Sequence, residues 1–319
     1  MSRLAKLFVA LALGVLLLVI VGAAALWLRP LAVFAALGRR ALRGAGFVTV
    51  DVETPAGRQV LFKGGSGPTV VLLHGAGDQA GGFSKVAPGL LKGRTVLVPD
   101  LAGHGKSAPS TGPIRLTAIV ETLEIAIEKE APSGPVVLVG HSMGAWAASI
   151  LAKRDPERVS QLVLVNGGPL RGEERGFSLK PKDRKETRKL MEVLRDPLSP
   201  KIPGFVLDDV VRQANAGPIS RLDMKDMEAN LLDGKLRDVA VPTDILWGVS
   251  DRLLPLDYAK KLAAELPAAR VTELPACGHV PLVECPDELL LALRKALDSP
   301  LPRPTRSRTD TPRTSSITR

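Results

Sequence analysis

The chain has 319 residues, with 43 lysines and arginines against 33 acids and a formal net charge of +10. The excess sits at the ends: residues 1–46 hold six bases and no acid, residues 299–319 hold five arginines against Asp310, and 47–298 carry 32 of each sign. A neutral 252-residue body excludes a nucleic-acid binder, which needs its positive field on the folded surface. A hydrophobic content of 45% excludes wholesale disorder, and two cysteines exclude a disulfide scaffold or a cysteine-based zinc module.

In chain order, the first element is a run of 22 residues, 7–28, without one charged side chain. As a helix it spans roughly 33 Å, about the thickness of bilayer hydrocarbon. It predicts an uncleaved membrane anchor, with residues 29–46 as a linker. The competing readings are a cleaved signal peptide, because Arg3 and Lys6 precede the run and Ala23–Ala25 offer a cleavage site, and a buried core helix. The run exceeds the ~7–15 apolar residues usual for a signal peptide, and Trp27 and Arg29 suit an interfacial boundary. Basic residues flank both sides, so the side of the membrane is left open.

Short apolar runs come next, at 47–53, 59–63, 69–73, 95–99, 136–139, 162–165, 244–247 and 270–274. Several are continuous Val/Leu stretches, as parallel strands buried on both faces require. Helical patterns lie at 116–129, 143–153, 257–266 and 286–297. Two strands arrive before any helix and strand–helix alternation succeeds them, which predicts an α/β sheet with an antiparallel N-terminal edge. Residues 170–235 break this rhythm with no strand-like run, and read as a helical lid insertion between two strands. The tail 299–319, rich in Pro, Thr, Ser and Arg, has too little apolar content to fold.

The four histidines, His74, His104, His141 and His279, each stand beside glycine at a strand end, the edge where open α/β sheets bind ligands. Gly140-His141-Ser142-Met143-Gly144 follows a buried strand and precedes a helix, the context in which G-x-S-x-G presents a serine nucleophile. A serine hydroxyl needs a base and an acid to orient that base. Asp251 and His279 follow in that order, each in a loop past a strand. Asn166 occupies the other place for such an acid, but an amide cannot stabilise an imidazolium as a carboxylate does. The Met143 amide is one candidate oxyanion donor, and the loop after the third strand supplies the other, with Ala76 the best placed. His74 reads as a structural hydrogen-bonder.

Other patterns fall away. Gly105-Lys106-Ser107 would end a phosphate loop only with glycine at position 100, which is Asp100. Gly64–Gly67 precedes a strand and is a turn. Cys277 and Cys285 read as buried free thiols; a disulfide would require an oxidising compartment. No metal or cofactor is called for.

With these residues in place, the stretch 47–298 resembles the α/β-hydrolase superfamily. The 74–77 loop, the 100–107 turn, Gly140–Gly144, Asp251 and His279 fall where that family's pattern places them. The anchor, the lid, and the segments 241–248 and 277–286 are similar to membrane-anchored monoacylglycerol-lipase-like members. The resemblance implies a mostly parallel eight-stranded sheet with helices on both faces. It also implies a serine esterase or lipase that acts on small ester or lipid substrates through an acyl-enzyme. Carbon–carbon bond hydrolysis, peracid formation and a non-catalytic binding protein remain the alternatives.

Overall fold

A computed structural model describes residues 2–173 and 178–303. Eight strands form one sheet: β1 (Val48–Val52), β2 (Gln59–Gly65), β3 (Thr69–Leu73), β4 (Thr95–Pro99), β5 (Val136–His141), β6 (Val159–Val165), β7 (Thr243–Gly248) and β8 (Ala269–Leu274). Their order is β1-β2-β4-β3-β5-β6-β7-β8. β1 and β2 pair antiparallel, β2 joins β4 antiparallel, and every later pairing is parallel. The antiparallel edge predicted from the chain order is therefore present.

The helices are α1 (Arg3–Leu28), α2 (Pro30–Gly44), α3 (Leu116–Glu130), α4 (Met143–Arg154), α5 (Arg184–Leu194), α6 (Gly204–Ala216), α7 (Pro218–Arg221), α8 (Met224–Ala229), α9 (Leu256–Glu265), α10 (Pro281–Glu284) and α11 (Pro286–Asp298). Alternate side chains of the central strands go to opposite faces, as a period of two requires. Leu73, Leu97, Leu138, Leu164 and Trp247 join a core with α3, α4 and α9. Val70, Leu72, Val98, Val139 and Val163 join a second core with α11 and α2.

α1 has no buried residue in its apolar window, and is long and apolar enough to cross a membrane. It ends at Arg29, whose φ of −140° is not helical, because Pro30 disfavours helical backbone in the residue before it and lacks an N–H to continue the ladder. Residues 30–44, expected as linker, are instead the helix α2 packed on the body. Gly38 of α2 meets the Gly81 backbone at 3.0 Å or closer for any added Cβ, and Leu42 is fully buried beside Phe62 and Phe83. Arg39 reaches in to Asp100 at 2.5 Å, and the Asp100 side chain has no exposed surface. Asp100 also accepts the Ala80 and Lys106 amides, so its charge is well compensated.

The insertion between β6 and β7 carries α5 to α8. The strand-free character expected for 170–235 holds among its described residues, apart from an isolated bridge between Ile114 and Leu222. Phe205 of α6 stacks on Trp27, with ring centroids 4.9 Å apart. Asp209 of α6, also buried, accepts the Leu31 amide at 3.0 Å, and Arg212 donates to the Leu28 carbonyl at 2.7 Å. The insertion is thus fastened to the junction of α1 and α2. The tail expectation falls mainly on 304–319, outside the described residues.

Candidate active site

β5 is the fourth strand in from the β8 edge, so the turn at its end opens at the middle of the sheet. That turn forces Ser142 to φ 51° and ψ −116°, a conformation that costs a residue with a Cβ on the order of 1–3 kcal/mol. The flanking glycines allow it through close approach: a Cβ on Gly140 would strike the Ala145 backbone, and one on Gly144 the Leu73 carbonyl. α4 starts immediately afterwards, so its positive N-terminal end lies beside the serine.

Three of the residues singled out in the sequence meet here. Ser142 Oγ donates to His279 Nε2 at 3.0 Å, and His279 Nδ1 donates to Asp251 Oδ2 at 2.8 Å. Asp251 and His279 are buried, whereas Ser142 is partly open. Asp251 arrives from the loop after β7 and His279 from the loop after β8, 28 residues apart in sequence. The carboxylate fixes the ring so that Nε2 is the unprotonated nitrogen facing the serine. Such a relay can draw a proton from the hydroxyl as it attacks and return it to a leaving group.

The amides of Met143 and Ala76 donate to no acceptor among the described residues. Gly75 holds the Ala76 loop against the serine, since a Cβ there would come within 3.1 Å of Ser142 Cβ. Above that loop, Ile219 of α7 lies against Gly77. The insertion therefore sits over the strands' carboxyl ends, on the serine's side of the sheet.

The remaining histidines are structural. His74 donates from Nδ1 to the Gly75 carbonyl and accepts the Leu101 amide at Nε2, as its strand-end position suggested. Burial holds its pKa well below the ordinary value. His104 donates to the Ala102 carbonyl, and burial lowers its pKa to about 4. His141 braces the loop that carries His279. Its Nε2 donates to the His279 carbonyl at 2.7 Å, and burial together with the neighbouring His279 lowers its pKa to about 4. Asn166, at the other strand end where an acid could stand, instead supports Asp251. It donates to Asp251 Oδ2 at 2.8 Å and accepts the Gly248 amide at 3.1 Å.

Cys277 and Cys285 correct an expectation. They form a disulfide, with Cα atoms 5.9 Å apart, where free thiols were expected. The short helix α10 folds the segment back so that the two ends of the stretch meet, a closure that spacing alone does not reveal. No group of three or more His, Cys, Asp or Glu among the described residues could hold a metal ion.

The sequence profile of the alpha/beta hydrolase family matches residues 70–292, from β3 into α11 and through the whole relay. The chain belongs to the alpha/beta hydrolase family. This hydrolase is 30% identical over 259 residues to a 2-hydroxy-6-oxononadienedioate/2-hydroxy-6-oxononatrienedioate hydrolase of Cupriavidus pinatubonensis, covering 73% of this chain and 88% of the relative. It is 29% identical over 250 residues to the pimeloyl-[acyl-carrier protein] methyl ester esterase of Aromatoleum aromaticum, covering 69% and 94%. The solved structure of a bacterial membrane phospholipase A is similar at TM-score 0.72 and 25% identity, covering 91% of this chain and 98% of that one. That coverage runs past the profile's limits.

Proposed function

We propose that this hydrolase cleaves carboxylic esters of lipid-like substrates through an acyl-enzyme on Ser142, while anchored in a membrane by α1. The observation that carries the reading is the Ser142–His279–Asp251 relay on a strained strand-to-helix turn. Ser142 Oγ attacks the ester carbonyl and His279 Nε2 takes its proton. The carbonyl oxygen becomes an oxyanion facing the Ala76 and Met143 amides. The tetrahedral adduct collapses as His279 protonates the departing alkoxide. Water then repeats the sequence on the acyl-enzyme, releases the acid and restores Ser142. Asp251 keeps the ring in its working tautomer and stabilises the imidazolium.

Membrane attachment rests on α1 and α2 together. α2 exposes Phe34 and Leu37, at 53% and 55%, with Arg40 and Arg43 among its exposed residues, the composition of a helix lying in a membrane interface. The insertion, fastened at Trp27 and Leu28, acts as the lid over the site. The methyl ester esterase and the phospholipase among the similar proteins support ester chemistry. The disulfide favours a catalytic domain on an oxidising side of the membrane.

A second reading, carbon–carbon bond hydrolysis on the same relay, is favoured by the 30% identical hydrolase of C. pinatubonensis. The two separate in one assay. The purified full chain in detergent is given p-nitrophenyl esters of increasing acyl length, a monoacylglycerol, and a 2-hydroxy-6-oxo-dienoate. Ester turnover that rises from acetate to medium or long chains is expected, at about 0.8 kcal/mol per buried methylene. Turnover of the dienoate with esters untouched would replace the ester reading by the second.

A further inference from the structure

Glu284, at the end of α10, is a carboxylate with no exposed side-chain surface and no part in the ester-cleaving steps. A buried carboxylate is costly unless its oxygens are paired or hydrogen-bonded. Both are. Oε2 accepts the Gly278 amide at 2.9 Å. Oε1 accepts the Asp196 amide at 2.9 Å and the Ser199 hydroxyl at 2.5 Å, with Arg195 Nε 3.6 Å away. One oxygen therefore holds the loop that presents His279, and the other holds the segment after α5 in the insertion.

The same segment touches the relay's other supports. The His279 amide donates to the Leu194 carbonyl at 2.6 Å. Asp196 Oδ2 accepts the Ser250 hydroxyl at 2.5 Å, one residue before Asp251. The Cys277–Cys285 disulfide closes a ring that contains Gly278, His279 and Glu284 together. Three separate attachments thus converge on the base and the acid from one segment of the insertion.

We infer that Glu284 is a positioning residue: through the Gly278 amide it fixes where His279 presents Nε2 to Ser142, and through residues 194–199 it makes the insertion part of that support. The inference rests on His279 being the base. A carboxylate is required because it accepts on both oxygens. A glutamine has one acceptor and one NH₂ donor, so it would turn a donor toward either the Gly278 or the Asp196 amide. Displacing a catalytic group by about 1 Å can cost roughly 100-fold in rate. The loss belongs in kcat, because Glu284 contacts the base's loop and not the substrate.

The test uses the full chain in detergent and a p-nitrophenyl ester, with working sites counted by end-point fluorophosphonate titration, so that misfolded protein does not enter the rate. Glu284→Gln is expected to lose tenfold or more in kcat per titrated site, with KM within twofold of wild type. Glu284→Asp keeps both acceptors one methylene short and is expected to fall between, at a three- to tenfold loss. A smaller loss than tenfold in Glu284→Gln, or a loss that lies in KM, overturns the inference. Should Glu284→Gln not fold, Glu284→Asp decides, and a loss under threefold overturns it. Ser142→Ala, measured alongside, separates the two claims. An active Ser142→Ala defeats the relay itself, whereas an inactive one beside a normal Glu284→Gln defeats only the positioning role.

Discussion

Asp251 has three donors before His279 is counted: the Leu253 and Leu254 amides on Oδ1 and the Asn166 side chain on Oδ2. A carboxylate held by this many donors is stationary, which is what an imidazole needs from its orienting partner. Asp251→Asn should leave the ring in place but favour the wrong tautomer, with a loss on the order of 10⁴ in kcat. Near-normal kcat in that variant would remove Asp251 from the relay. The three relay residues were legible in the sequence because each stands just past a strand in the order serine, acid, histidine. Asn166, His141 and Leu194 were not legible as supports. Their contacts run to residues 85, 138 and 85 positions away, and no local pattern marks them.

Among the elements, the buried strands were readable as continuous apolar runs, and all eight are present. α2 was not readable. Its contact face is built from Gly38, Leu42 and the arginine that meets Asp100, so it lacks the apolar stripe that announces a docked helix. The consequence is testable. Arg39→Ala leaves Asp100 buried without its cation, and should cost about 3–5 kcal/mol of stability. Deleting residues 1–28 should keep a folded, active hydrolase, whereas deleting 1–46 also removes Leu42 from the core and should not. Thermal unfolding of the three proteins in detergent checks this. Equal midpoints for the two deletions would mean that α2 is the linker its sequence suggested. The disulfide was also hidden, because its closure depends on the turn made by α10.

For the whole molecule, three buried histidines and one acid set the response to pH. His104 and His141 titrate at about 4 in the fold, against 6.5 when unfolded, and His74 is lowered too. Between those values the unfolded chain binds protons that the native state refuses. The stability each supplies, roughly 3 kcal/mol for His104 or His141, is present above pH 6.5 and is lost as pH falls toward 4. Asp78 works the other way. Its carboxyl is tucked against Gly82, and burial raises its pKa to about 6, so its contribution is present below pH 3.8 and is lost as pH rises through 6. Three groups outweigh one, and the thermal midpoint is expected to drop steadily from pH 6.5 to pH 4. A midpoint that holds or rises over that interval would show that the histidines are not neutral in the fold.

Ser142, raised on a strained turn and served by His279, is the proposed nucleophile. The decisive measurement is kcat for Ser142→Ala on the best ester of the acyl series, paired with fluorophosphonate labelling of both proteins. Alanine at this turn carries the same backbone strain, so the fold should persist while the bond-forming oxygen is gone. Labelling should disappear and kcat should fall by roughly 10⁶, the scale on which a triad loses its nucleophile. A Ser142→Ala protein that still takes the label, or that keeps more than about a hundredth of wild-type kcat, would contradict that role.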